Sequence, residues 1–209
     1  MSIFITFEGP DGSGKTTQAQ LLANDLKRQG VDVVLTREPG GTPIGDQIRA
    51  VLHDRTNTAM TPCAEFLLYS ASRAQLVEQL VRPALTAGRV VISDRFYDSS
   101  LAYQGYGRGL DLAALHDITR FATGGLVPHL TLYLDLQPDQ GLQRRLLGDG
   151  EWNRLDQEAL AFHRRVRAGY LELAGREPER WRVIDAARSI EAVQKDIACI
   201  VDKELDMLR

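Results

Sequence analysis

The chain has 209 residues, a formal net charge of −3 and two cysteines. That length suits one compact domain with a substantial core, and the slightly acidic balance argues against a protein that grips nucleic acid nonspecifically, which needs a basic face to displace counterions. Cys63 and Cys199 lie far apart without metal-ligand spacing and read as free thiols; the first apolar run is too short for a signal peptide or a membrane span, so a cytoplasmic protein without a membrane partner is expected.

In chain order, Ile3-Phe4-Ile5-Thr6-Phe7 reads as a buried strand, and residues 18–29 carry leucines and alanines at helical spacing. Between them, Gly9-Pro10-Asp11-Gly12-Ser13-Gly14-Lys15-Thr16 fits the pattern G-x-x-x-x-G-K-[ST]. Its glycines let backbone N–H groups turn inward and the helix start adds a positive dipole end, while Lys15 reaches the outer phosphates and Thr16 can hold Mg²⁺. A triphosphate site follows. Further strand-like runs at 32–36, 89–93, 130–136 and 182–184 alternate with helical pattern, which predicts an α/β fold with a parallel sheet covered by helices. The first long helix after the second strand is expected to open at Thr61, an N-cap followed by Pro62, and to run toward residue 85, with Gly88 ending the connection. Residues 148–154 break the helical pattern with glycines and charges, as either a mobile flap or a plain surface loop. Phe162, Val166, Tyr170 and Leu173 form an apolar stripe on a core-facing helix, and residues 190–208 read as an amphipathic helix.

A phosphate loop alone does not separate a GTPase switch, a motor and a small-molecule kinase. A guanine-selecting Asn-Lys-x-Asp is wanted after a later strand, and Gln137-Pro138-Asp139-Gln140 stands there instead. Arginines stand out along the chain: Arg37, Arg49, Arg73, Arg95 and Arg154. Their planar forks suit a second anionic substrate, and several stand beside strand ends, where open α/β sheets bind ligands. Asp94 to Gln104 follows Val90-Val91-Ile92 directly. A helix after Asp98 would put Ser100, Tyr103 and Gln104 on one face, a hydroxyl, a ring and an amide able to read a base and a sugar edge. Tyr69 and Arg73, four apart, share a face of the preceding helix; Tyr69 is either a ring that stacks on a base or a core aromatic.

Four segments carry a family resemblance: F-E-G-P-D-G-S-G-K-T-T near the start, T-R-E-P-G-G-T-P-I-G-D-Q-I-R from Thr36, L-L-Y-S-A-S-R from Leu67 and D-R-F-Y-D-S-S-L-A-Y-Q-G from Asp94. In these the chain resembles bacterial thymidylate kinases over nearly its whole length. The resemblance implies a single P-loop kinase domain over residues 1–209, with a five-stranded parallel sheet flanked by helices and a small mobile lid over about 146–158. It implies a homodimer, and ATP and dTMP as substrates with Mg²⁺. Gly9, Pro10, Asp11, Gly12, Ser13, Gly14, Lys15, Thr16 and Thr17 would hold the donor phosphates. Arg144, Asp185 and Ala186 would lie near its adenine. On the acceptor side, Tyr69 stands where the family usually stacks a phenylalanine on thymine. Arg73, Ser100 and Gln104 fall at the base edge, Asp11 and Tyr103 near the deoxyribose, and Arg37, Arg49 and Arg95 toward the phosphate, with Glu38 and Pro39 beside them. Family members carry a mobile arginine in the phosphate loop or in the lid. Gly12 occupies the loop position, so this chain resembles the lid-arginine type through Arg154, while Asn153 departs from the aspartate common in that lid.

Lys15, Arg95 and Arg154 are accordingly the expected catalytic residues, with Thr16 and Asp94 at the metal; Asp94 reads equally as a structural acid at a strand end. Competing readings are another nucleoside or nucleoside-monophosphate kinase, and a noncatalytic nucleotide-binding switch.

Overall fold

The computed structural model describes residues 2–147 and 154–207. Strands β1 (Ile3–Glu8), β2 (Val33–Arg37), β3 (Val90–Asp94), β4 (Leu130–Asp135) and β5 (Trp181–Asp185) form one sheet in the order β2-β3-β1-β4-β5, every neighbouring pair parallel. Each strand read from the sequence is present, with ends moved by about a residue.

Both faces of the sheet are covered, so alternate side chains enter two different cores. Ile3, Ile5 and Phe7 join Val90, Ile92, Leu130, Leu132 and Leu134 beneath α1 (Lys15–Arg28) and α9 (Ile190–Met207). Phe4, Val91 and Tyr133 face the other way, against α3 (Pro62–Leu76) and α8 (Leu160–Arg176). The stripe Phe162, Val166, Tyr170 and Leu173 is buried there as expected.

The long helix expected from Thr61 is present and runs, with a change of pitch, from Pro62 to Thr86. A shorter helix that was not expected, α2 (Pro43–His53), precedes it after β2. It carries the same signature: Thr42 caps it by accepting a hydrogen bond from Gly45 N at 3.0 Å, with Pro43 at the first position. Thr61 caps α3 in the same way, through Ala64 N at 3.3 Å. Beyond Leu76 the helix widens into a π-helical turn, Val77–Val81, before α4 (Arg82–Thr86), where Pro83 has no N–H to donate to the turn before it. A second widened stretch, Leu101–Gly107, extends α5 (Tyr97–Ser100) and carries Tyr103 and Gln104. The helices α6 (Leu112–Thr123) and α7 (Pro138–Leu147) complete the layers.

Register brings the chemistry together. Phe7 and Arg37 both pair with Asp94, so Glu8, Arg37 and Asp94 stand at adjacent carboxyl ends of the three central and edge strands. Most of the expected flap, with Asn153, lies outside the described residues; description resumes at Arg154, followed by a 3-10 turn at Leu155–Gln157. Among the described residues no helix is long and apolar enough to cross a membrane.

Candidate active site

At the carboxyl end of β1 the chain turns through Gly9, Gly12 and Gly14, all at positive φ (146°, 79° and 92°), conformations that cost a residue with a Cβ about 1–2 kcal/mol. Gly14 is the N-cap of α1 and supplies no side-chain cap, leaving the first helical N–H groups to an anion. Lys15 is buried, its Nζ donating to Pro10 O at 2.8 Å. Burial, aided by Arg95, pulls its pKa down to about 8 against the opposing charges of Asp11, Asp94 and Glu8. Thr16 donates its hydroxyl to the Asp94 carboxylate at the end of β3. That adjacent hydroxyl and carboxylate fit Mg²⁺, a hard cation that keeps several waters and takes few protein ligands. Gly12 meets α7 backbone to backbone: a Cβ there would lie 2.1 Å from Gly141 O. No side chain fits at Gly12, an arginine least of all.

Arg95 links this loop to the rest of the sheet edge. It holds φ at 72°, an uncommon conformation for a residue with a side chain and one that recurs at functional sites. Its guanidinium donates to Asp11 Oδ1 (2.7 Å), Gly9 O (3.1 Å), Ser99 Oγ (3.0 Å), Tyr170 OH (3.2 Å) and Tyr103 OH (3.3 Å). Tyr103 in turn donates to Asp11 Oδ2 at 2.7 Å. Burial alone would raise the Asp11 pKa, but Arg95 and Lys15 hold it far below the usual carboxylate range. Beneath them Glu8 accepts from Phe96 N (2.8 Å), Ser99 Oγ (2.6 Å) and Tyr170 OH (2.8 Å). Burial and the nearby Asp98 push its pKa up to about 7.

A cleft of about 1120 Å³ opens over these groups. Its wall includes Lys15, Thr16 and Thr17 of the loop and helix start, Arg37, Arg49 and Arg95, and, opposite, Tyr69, Ser100, Tyr103 and Gln104. Arg49 is steered by a bond from Nη1 to Pro39 O at 2.9 Å. Tyr69 is half-buried and lines the cleft, outside both hydrophobic cores, so it is not a core aromatic. Arg73 sits just behind the wall, clamped by Glu38 (Nε at 2.9 Å) and Ser100 Oγ (3.0 Å). Burial lifts the Glu38 pKa to about 7 despite that arginine. The glycine-rich loop, three arginines and an aromatic and amide wall therefore share one cavity.

The family model for thymidylate kinase matches residues 7–197. The chain belongs to the thymidylate kinase family. A thymidylate kinase of Roseiflexus castenholzii is 54% identical, aligned over 98% of this chain and 95% of its own length. That of Roseiflexus sp. strain RS-1 is 53% identical over 98% and 96%. Among solved structures, the crystal structure of thymidylate kinase from Ehrlichia chaffeensis superposes with a TM-score of 0.79 at 34% identity, covering 96% of this chain and 98% of that one.

In this kinase the structure leaves one expected catalytic residue elsewhere. Arg154 lies outside the cleft wall, buried, its Nη2 ion-paired with Glu65 and its Nε 3.4 Å from Leu52 O. The α7 arginines Arg144 and Arg145 line the cleft instead. Arg144 donates to Ala186 O at 3.0 Å, which ties the expected adenine residues together, although Asp185 and Ala186 are outside the wall.

Sequence reasoning missed Glu8, Ser99, Tyr170, Arg145, His53 and Glu65. Glu8 was findable, being a carboxylate at the end of the first strand. Tyr170 was read as core: its ring is, but its hydroxyl reaches Glu8 and Arg95. His53 lines the cleft, and burial with Arg49 beside it lowers its pKa to about 4.

Proposed function

We propose that the chain transfers the γ-phosphate of ATP to dTMP, giving ADP and dTDP for dTTP synthesis, with the site residues acting as follows. The observation that carries this reading is the Asp11–Arg95 ion pair, 2.7 Å long, which joins the donor loop to the acceptor-side arginines within one cleft. The acceptor is itself a phosphate with a second pKa of about 6, already deprotonated at neutral pH, so the site needs no general base. The obstacle is repulsion between two polyanions. Lys15 and the N–H groups of the loop neutralise the donor, and Arg37, Arg49 and Arg95 neutralise the acceptor phosphate. Together they hold the attacking oxygen in line with the γ-phosphorus. Tyr69 stacks on the base, Gln104 and Arg73 read its edge, and Asp11 and Tyr103 meet the sugar. Mg²⁺, held by Thr16 and through water by Asp94, would supply neutralisation of the donor's phosphate oxygens.

Arg154 reaches the transferring group only after leaving Glu65. That exchange leaves no bare buried charge, because Glu65 keeps Arg108 (3.2 Å) and Gln104 (2.7 Å) as partners. Residues 146–158 act as the lid that brings Arg154 over ATP and excludes water. We further assign a cytoplasmic location and a homodimer built on α3, which exposes Leu67; sedimentation equilibrium showing only monomer would remove the dimer.

Coupled ADP release with dTMP, dUMP, dCMP, dGMP and thymidine tests the whole reading. dTMP should stimulate ADP formation most, and no acceptor-dependent ADP from any of the five would end the kinase assignment. A preference for thymidine would make the chain a nucleoside kinase.

A further inference from the structure

Glu65 of α3 does not line the cleft, yet its buried carboxylate is wired to the residue expected to read the acceptor base. Its Oε1 accepts from Gln104 Nε2 at 2.7 Å and from Arg108 Nε at 3.4 Å; its Oε2 accepts from Arg108 Nη2 at 3.2 Å and from Arg154 Nη2. Burial opposes its charge, but Gln104 and the two arginines outweigh burial and keep its pKa below the ordinary glutamate value.

An ionised carboxylate can only accept hydrogen bonds. The Gln104 side chain must therefore turn its NH₂ toward Glu65, which aims its carbonyl oxygen the other way, toward the cleft whose wall Gln104 forms. Nearby, Arg73 is held rigidly by Glu38 and Ser100, and its Nη1 is buried without a hydrogen-bond partner among the described residues. The wall thus offers one acceptor, with one unpartnered donor held in a fixed position just behind it. A pyrimidine with a ring N–H beside a carbonyl complements that pair; one with a bare ring nitrogen beside an amino group presents the reverse pattern.

We propose that Glu65 is a positioning residue for acceptor selectivity: by fixing which way the Gln104 amide points, it makes the site demand an imide pyrimidine over an aminopyrimidine. This rests on the dTMP reading above.

The test is Glu65→Gln. Arg108 and Arg154 will draw the new side chain's carbonyl toward themselves, leaving its NH₂ to face Gln104, which must then flip and present its own NH₂ to the base. Steady-state kinetics of the full chain should show the dTMP to dCMP ratio of kcat/KM falling by about tenfold or more, mainly through KM, the scale of one mismatched buried hydrogen bond. The ratio should not invert, because Arg73 still offers a donor. The dTMP to dUMP ratio should stay unchanged, since those bases differ only by a methyl group. With Gln104→Leu already present, Glu65→Gln should change the dCMP ratio no further.

A wild-type dCMP ratio in Glu65→Gln overturns the proposal, as does an equal loss of discrimination against dUMP, which would signify general loosening. Failure of the wild-type chain to phosphorylate dTMP would instead overturn the functional reading. Should Glu65→Gln be too unstable to assay, neutron diffraction on the deuterated wild-type chain with dTMP bound decides: deuterons of Gln104 Nε2 toward Glu65 support the proposal, and deuterons toward the base refute it.

Discussion

Three glycine-to-alanine changes separate backbone conformation from steric overlap in the phosphate loop. Gly14 sits at φ 92° with nothing within 4 Å of an added Cβ, so Gly14→Ala should cost only the left-handed conformation, about 1–2 kcal/mol. Gly141 lies inside α7, and a Cβ there would stand 2.3 Å from Asp11 O, so Gly141→Ala forces backbone apart. That overlap is worth about 1–3 kcal/mol, less about 1 kcal/mol regained from helix propensity. Gly12 combines φ 79° with a Cβ 2.1 Å from Gly141 O, and Gly12→Ala should cost about 2–5 kcal/mol. Urea unfolding at constant slope measures each loss. The ATP KM should rise for Gly12→Ala and Gly141→Ala, because both displace the loop from α7. The double variant should cost less than the sum, since both changes break one contact. If Gly12→Ala costs no more than Gly14→Ala, the loop and α7 are not in backbone contact, and the steric exclusion of a loop arginine falls with it.

Arg154→Ala should lower turnover about a hundredfold or more with smaller changes in substrate binding, as for a contact made mainly in the transition state; unchanged kcat removes Arg154 from the mechanism. Arg95→Ala should weaken dTMP binding severely, and calorimetry giving wild-type affinity would contradict its place at the acceptor phosphate. Tyr69→Ala should lose about 1–3 kcal/mol of dTMP affinity by removing a stacking surface, and equal affinity would make the ring incidental. Glu38 is raised from 4.5 to about 7, so the folded state binds its proton more tightly than the unfolded state. Its contribution is fully present below about pH 4.5 and is lost as pH rises through 7. Glu38→Gln should flatten that fall in chemical-denaturation stability between pH 5 and 8, whatever the variant's absolute stability; an unchanged slope would place the titration elsewhere.

Local signals made much of the site legible. A strand, a glycine-rich turn and a helix start are contiguous, so the phosphate loop could be read with its strand and helix from one stretch of chain. The helical face of Ser100, Tyr103 and Gln104 was readable from spacing, and all three line the cleft even though the turn there is π-helical. Thr42-Pro43 carried the same start signal as Thr61-Pro62 and went unread, which cost the sequence reading α2 and, with it, the bond that steers Arg49 to Pro39.

By itself, then, the sequence determined the parallel α/β fold, the phosphate loop and many of the side chains that line the cleft, because each is encoded in contiguous pattern or residue type. Only the tertiary structure decided which of those groups hold one another. Asp11 and Arg95 are 84 residues apart, Glu8 and Tyr170 are 162 apart, and Glu65 and Arg154 are 89 apart. Sheet order and helix packing create those pairs, and no local periodicity records them. The same is true of Gly12 against Gly141, where two small residues are required because two backbones meet. Arg154 shows the division most plainly: its residue type announced a phosphate ligand, and the fold pairs it with a buried carboxylate that it must leave before it can act as one.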